Sequence, residues 1–302
     1  MSVLVFGYHN VGTEGLRALL DGGAEVSALV THRDDPAENV WFEAPAKLAR
    51  ARGIPVHTPE SSKGPELRKL VESLRPEFIF SFYYRWMIPS RVLGMAPGGA
   101  YNLHGSLLPR LRGRCPVNWA ILLGEVESGL TLHHMVAAAD AGDIVAQARV
   151  RIEPRETAKS LFDKLTPLAY RLVAENWPLI RDGRAPRTPQ DHSRATTHGG
   201  RRPEDGLVDW RRPAIHVDRL VRAVTHPYPG AFTALDGRKL FVWEGAPAEG
   251  RGEPGRVLAS GLGSVVVGCG EGAYAVERAQ FDGGPEVPAR ELGLSTGTIL
   301  GG

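Results

Sequence analysis

In the run Tyr101-Asn102-Leu103-His104-Gly105-Ser106, an amide and an imidazole stand two residues apart. If Gly99 to His104 is a strand, both side chains leave it on one face. At the carboxyl end of a parallel strand, that face is where open α/β sheets carry their sites. Aimed at one point, an amide N–H can donate to a developing oxyanion. An imidazole can do the same when protonated, or take a proton from an attacking amine. A carboxylate comes from Asp140 in Ala137-Ala138-Ala139-Asp140-Ala141-Gly142-Asp143, where small residues let the backbone approach closely. Beside His104 it would raise the imidazole pKa and hold the ring's orientation. Plainer readings exist for each: Asn102 as a turn cap, His104 as a core hydrogen-bonding group, Asp140 or Asp143 as a side chain bonded to its own turn. Spacing leaves these readings level, and periodicity does not bring Asp140 to His104.

Other clusters carry less. Gly7-Tyr8-His9-Asn10-Val11-Gly12 follows a strand and precedes a helix, but the G-x-G-x-x-G spacing and the Gly-Lys-Ser/Thr of a phosphate loop are both missing, so a tight turn is the better reading. His133 and His134 are neighbours on an expected strand and point to opposite faces, one to the core and one to the surface. The histidines show no ligand spacing, and no metal is expected. Arg110, Arg112 and Arg114 suit a phosphate or a polynucleotide, with a solvated loop as the plain alternative.

Elements that could position these groups alternate along the first half. Ser2 to Tyr8, Glu25 to Thr31, Ile54 to Thr58, Phe78 to Tyr84 and Gly99 to His104 read as strands. Between them Gly12 to Leu20, Ala44 to Arg52, Pro65 to Leu74 and Pro89 to Met95 read as helices, the last two opened by proline. This is an α/β pattern, a doubly wound and mostly parallel sheet of Rossmann-like type. After a helix over Pro116 to Gly124, the strands Leu130 to Val136 and Asp143 to Ile152 flank the Asp140 turn. A long helix over Thr157 to Ile180 is expected to break at Pro178 in its last turn. Short Gly-bounded strands from Ala231 to Ala279 suggest a small C-terminal β-barrel, OB-like. The domains are therefore set at 1–200, including a Gly, Pro, Arg and Ser-rich linker, and 201–302.

With 302 residues, 42% of them hydrophobic, one large core is affordable. Disorder and collagen are excluded by composition. Lys and Arg number 36 against 34 Asp and Glu, so a charge of +2 draws the whole chain to neither nucleic acid nor an anionic membrane. From 201 to 302, 12 Lys and Arg against 13 Asp and Glu leave −1, a poor platform for tRNA. Two cysteines, Cys115 and Cys269, make no disulfide framework, which fits a reducing, cytoplasmic setting. No window has the length of a membrane span. No heptad run announces an oligomer interface, and the oligomeric state is open.

The run Asn-Leu-His-Gly-Ser-Leu-Leu-Pro followed by Arg112-Gly113-Arg114, with Asp140-Ala-Gly-Asp downstream, resembles the formyltransferases that use 10-formyltetrahydrofolate. That family includes methionyl-tRNA, glycinamide ribonucleotide and sugar-nucleotide formyltransferases. Phe6 to Gly12, Phe80 to Arg85, His104 to Pro109, and Arg222-Ala223 with Pro227 to Ala231 look most like the formyltransferase domain of the bifunctional UDP-4-amino-4-deoxy-L-arabinose pathway enzymes. Those enzymes continue into a dehydrogenase-decarboxylase half that these 302 residues do not contain. The likeness spans essentially the whole chain. It departs at Trp86, where a histidine is usual, and at Cys115, where a small residue is usual.

The resemblance implies transfer of a formyl group from 10-formyltetrahydrofolate, a co-substrate, to a primary amine. It puts the catalytic Asn, His and Asp on Asn102, His104 and Asp140. Folate contacts fall on Arg85, Trp86, Met87 and Ile88, on Arg114, and on Val136, Ala137, Ala138, Ala139 and Asp140. Asn102 and protonated His104 would meet the oxyanion, and Asp140 would raise the His104 pKa and relay protons to the departing nitrogen. The acceptor it implies is a small sugar nucleotide, with UDP-4-amino-4-deoxy-L-arabinose or a related amino sugar foremost and lipopolysaccharide or lipid A modification as the setting. Rival readings are methionyl-tRNA formyltransferase and a non-catalytic folate- or nucleotide-binding regulator.

Overall fold

Val3, Leu4, Val5 and Phe6 are all completely buried, an uninterrupted apolar run of the kind that a strand covered on both faces requires. This strand, β1 (Ser2–Gly7), lies inside a sheet built with α1 (His9–Asp21), β2 (Glu25–Val30), α2 (Pro45–Ala51), β3 (Val56–His57), α3 (Pro65–Leu74), β4 (Phe78–Phe82), α4 (Ser90–Leu93) and β5 (Gly99–His104). A computed structural model of the chain describes residues 1–34, 36, 39–261 and 263–301. Helices α2 and α3 start on proline, whose missing N–H costs nothing in a first turn. Helix α1 starts at once after the strand. A Cβ on its Gly12 would stand 3.2 Å from the Gly7 carbonyl carbon, so the two glycines serve close packing of strand end and helix.

The chain goes on through β6 (Arg112–Gly113), α5 (Pro116–Leu123), β7 (Glu127–His134), β8 (Ile144–Arg151), α6 (Ala158–Arg181) and β9 (Thr197–His198). Seven strands pair in the order β3-β2-β1-β4-β5-β7-β8, parallel from β3 to β5 and antiparallel for β7 and β8. The α/β class with a mostly parallel sheet stands as expected from the sequence. Helix α6 departs from expectation: it runs through Pro178 to Arg181 instead of breaking there. Trp177 and Ile180 on either side of the proline are buried, and Trp177 meets Phe78 and Phe80 edge-on. That packing offsets the roughly 3 kcal/mol an interior proline costs.

Two compact units divide the chain: 1–116, 127–151 and 162–199 form one, and 117–126, 152–161 and 200–302 the other. The second holds α7 (Ala214–Val224), β10 (Ala231–Leu235), β11 (Arg238–Ala248), β12 (Val257–Ser260), β13 (Val265–Gly268), β14 (Ala273–Phe281) and β15 (Glu286–Pro288). Its strands pair antiparallel in the order β10-β11-β14-β13-β12, with β15 also on β14. The C-terminal β domain expected from the sequence is thus present. Inside this unit Asp218 is buried between Arg222 (Nε to Oδ2, 2.7 Å) and Arg155 (Nη1 to Oδ1, 3.2 Å). Arg222 also donates to the Glu156 carbonyl at 2.7 Å. Among the described residues no helix is long and apolar enough to cross a membrane.

Candidate active site

Strand β5 ends on the two residues of interest. Asn102 and His104 share a face of the strand, and the antiparallel register sets His133 of β7 directly opposite Asn102. Between β7 and β8 the chain turns back over that face. One oxygen of Asp140, Oδ1, lies 3.5 Å from Asn102 Nδ2, 3.5 Å from His104 Nδ1 and 3.7 Å from His133 Nε2. Its other oxygen accepts the Gly113 N–H at 2.8 Å. Asn102, His104 and Asp140 are therefore brought together, and His133 joins them.

The two histidines correct a reading of the sequence. His133 and His134 do point to opposite faces, but neither is on the surface, because the sheet is covered on both sides there. His134 packs against the Tyr101 ring on the far face. His133 faces the site. Finding it from the sequence would have required the β5–β7 register, which no local spacing encodes.

Main-chain carbonyls decide which ring nitrogens carry protons. His104 Nε2 lies 2.8 Å from the Leu111 carbonyl, an acceptor only, so Nε2 bears the hydrogen and Nδ1 is left to take a proton. His133 Nδ1 donates in the same way to the His134 carbonyl at 2.8 Å. Its Nε2 is then an acceptor, and the Asn102 amide must turn its N–H toward it at 3.0 Å. One carbonyl thereby sets a tautomer and, through it, the orientation of an amide. Leu111 and Asp140 hold φ of +57° and +52°, a left-handed conformation that costs an ordinary residue about 1 kcal/mol.

Burial lowers the His104 pKa below its ordinary 6.5, and this outweighs the Asp140 carboxylate and the Leu111 carbonyl, which act to raise it. The sequence led us to expect a raised value. Asp140 does push in that direction, but a ring with only 6% of its surface exposed is neutral at pH 7. For Asp140 burial acts to raise the pKa. Opposing it, the neighbouring His104 and His133 imidazoles and the Gly113 N–H bring the carboxyl down to about 2. A firmly ionised acid thus faces a neutral base.

The remaining expected contacts surround this group unevenly. Arg85 lies over the Tyr8 ring at 4.7 Å, and Trp86 meets His32 edge-on. Trp86, Met87 and Val136 are exposed, as are Ala137 to Ala139, whereas Ile88 is buried in the core with Tyr84, Val92 and Leu93. Met135 packs on the same cluster, so the 85–88 and 136–140 loops rise from one patch of core. Arg114 is exposed, its N–H given to the His198 carbonyl at 3.0 Å in the β6–β9 pairing. Among the described residues no His, Cys, Asp and Glu side chains group as metal ligands would.

Comparison with known proteins adds the family. In the solved structures, WlaRD, a sugar 3N-formyl transferase studied with dTDP and 5-N-formyl-THF, superimposes with a TM-score of 0.69 over 93% of this chain and 97% of its own, at 16% identity. An N-formyltransferase from Helicobacter canadensis, in complex with folinic acid and dTDP-3-aminofucose, gives 0.68 over 92% and 99%, also at 16%. HypX from Aquifex aeolicus gives 0.66 at 22% identity over 97% of this chain, which spans only 47% of HypX. At these identities the likeness is one of fold. Sequence models reach further: residues 1–176 match the formyl transferase domain and residues 201–295 the formyl transferase C-terminal domain. With both domains matched in order along most of its length, the chain belongs to the formyl transferase family.

Proposed function

We propose that the protein moves a formyl group from 10-formyltetrahydrofolate to the primary amine of a sugar nucleotide, with UDP-4-amino-4-deoxy-L-arabinose or a related amino sugar as acceptor. The observation that carries this reading is the convergence of the Asn102 amide, the neutral His104 ring and the ionised Asp140 within 3.5 Å on one strand face. An amine attacking a formyl carbon needs three services: a donor for the oxygen that becomes negative, a base for the proton the nitrogen sheds, and a donor for the leaving nitrogen. Asn102 keeps one N–H on His133 and offers the oxygen its other, whose bond to Asp140 is long at 3.5 Å. His104 Nδ1 takes the proton as the new carbon–nitrogen bond forms, and Asp140 stabilises the imidazolium so produced. The same proton then passes to the folate nitrogen as its bond to the formyl carbon breaks, which returns His104 to its neutral state.

Loops 85–88 and 136–140 suit the folate. Their exposed Trp86, Met87 and Val136 offer apolar surface for a flat heteroaromatic ring beside the main-chain groups of a turn. WlaRD and the Helicobacter canadensis N-formyltransferase match this chain over nearly their whole lengths, the one studied with dTDP and the other with dTDP-3-aminofucose. We further propose that residues 201–302 act as a separate small domain that contributes to acceptor choice and supplies none of the catalytic groups.

Formyl transfer assayed against UDP-, GDP- and dTDP-linked amino sugars, with calorimetry of each, tests the reading. Turnover with one of these sugars is expected. Turnover only with methionyl-tRNA, at an affinity that falls steeply with salt, would overturn it in favour of a tRNA enzyme. Tight folate binding with no transfer to any amine would mean a regulator instead.

A further inference from the structure

Past the end of α6 the chain returns across the site as residues 186–199, and one side chain in it, Gln190, is 6% exposed. Its amide uses every hydrogen-bonding position it has. Nε2 donates to the Asp140 carbonyl at 2.9 Å and to the Gly142 carbonyl at 2.7 Å. Oε1 accepts from Arg112 Nε at 3.2 Å and from Arg112 Nη2 at 2.5 Å. The orientation is unambiguous, since carbonyls only accept and a guanidinium only donates. Thr188 and Ile144 exchange both main-chain hydrogen bonds, at 2.8 and 3.0 Å, and so anchor the segment at the base of β8. Thr196 holds the other loop: its Oγ1 accepts the Leu111 N–H and its carbonyl the Arg112 N–H.

The two loops joined by Gln190 are the two that act on His104. On one side is the Asp140 turn. On the other is the Leu111-Arg112-Gly113 segment, which gives His104 a carbonyl and Asp140 an N–H. Asp140 has positive φ, a conformation that Asp tolerates better than most residues but does not prefer, and the hydrogen bonds from Gln190 to its carbonyl and that of Gly142 hold the turn in it. We propose that Gln190 is a positioning residue for formyl transfer: by tying the Asp140 and Gly142 carbonyls to Arg112, it fixes the Asp140 carboxylate at its distance from His104 Nδ1. It touches neither substrate nor the reacting atoms. The inference rests on the proposed activity for its kinetic consequence only.

Gln190→Met keeps the length and removes all four hydrogen bonds. The groups that face the His104 ring are Asp140, His133, Arg112 and the Leu111 carbonyl, and of the charged ones only Asp140 favours the imidazolium. Once that carboxylate drifts, the His104 titration followed by NMR, assigned against His104→Ala, moves to lower pH by about half a unit or more. In the assay kcat falls about 30-fold, while KM for 10-formyltetrahydrofolate stays within about threefold. A clasp with a merely structural role would lower the melting temperature and leave the titration where it was. Wild-type titration and kcat in folded Gln190→Met overturn the proposal. Should that variant not fold, Gln190→Asn, neutral and too short to span both loops, must show the same two changes, and its failure to do so is equally decisive. The titration needs no substrate, so a wild-type protein inactive on every acceptor would refute the activity and still leave the Gln190 test standing.

Discussion

His104 gives its Nε2 hydrogen to the Leu111 carbonyl, so a proton arriving from substrate has only Nδ1 to go to, and Nδ1 faces Asp140 at 3.5 Å. Replacing His104 or Asn102 by Ala should therefore cost ~100-fold or more in kcat with the fold kept, since an oxyanion donor or a placed base is worth about 3 kcal/mol. Single-turnover rates at saturating 10-formyltetrahydrofolate, with circular dichroism as the fold control, measure this. Asp140→Asn removes the group that raises the His104 pKa and leaves burial unopposed, so the pKa falls further. With neutral His104 as the base, activity rises through that pKa as pH increases. The acid limb of the kcat profile should move to lower pH in Asp140→Asn, and the maximum should drop because the imidazolium has lost its counter-charge. An unmoved limb at full rate would shift the role to Asp143. Of these residues, Asn102 and His104 could be placed on one face from their two-residue spacing on a strand, and Asp140 was a candidate from its turn beside Asp143, but the catalytic role of all three came from the resemblance. His133 and Gln190 were hidden, because their partners are 31 and 50 residues away and depend on register and on a returning segment.

At the scale of elements, the site depends on how closely the turn between β7 and β8 can fold back. A Cβ on Gly142 would lie 1.9 Å from the His134 carbonyl oxygen, a main-chain atom that side-chain rotation cannot move aside. Gly142→Ala should therefore cost about 2 kcal/mol of stability and displace Asp140, which a urea titration and the His104 NMR signal would both report. The β-α alternation of the first half was readable, since apolar runs and proline-started helices are local signals. α3 and β5 have the expected bounds to the residue. Where reading failed, tertiary packing was the cause: Trp177 carries α6 through Pro178, and β3 keeps two residues of an expected five because it is the sheet's edge. Helix α7 was missed altogether, although Ala214, Val217, Val221 and Val224 fall on a helical spacing.

For the whole molecule, acid should be the weak flank. His104 is held neutral below its ordinary 6.5, so below that pH the unfolded chain binds a proton the folded one refuses, and stability falls. Asp140 is lowered from 3.8 to about 2. Its contribution, roughly 2 kcal/mol, is whole above the unfolded value and is lost as pH drops through the folded one. Urea midpoints at pH about 7, 5 and 3 should decline in that order, with the last step reduced in Asp140→Asn. In the second unit, Asp218→Ala takes the buried carboxylate from half-buried Arg222, leaving it the Glu156 carbonyl alone, and should cost about 3 kcal/mol, lowering the urea midpoint without altering its slope. The order of the chain itself adds a consequence. Asn102, His104 and Asp140 are all translated before α6, while Gln190, Thr196 and β9 follow it. A ribosome-bound chain, or one cut after Arg181, contains every reacting group and every strand of the seven-stranded sheet yet lacks the stretch that ties down the loops bearing Leu111 and Asp140. Competence should therefore arrive late in synthesis, only after residue 198 has cleared the exit tunnel.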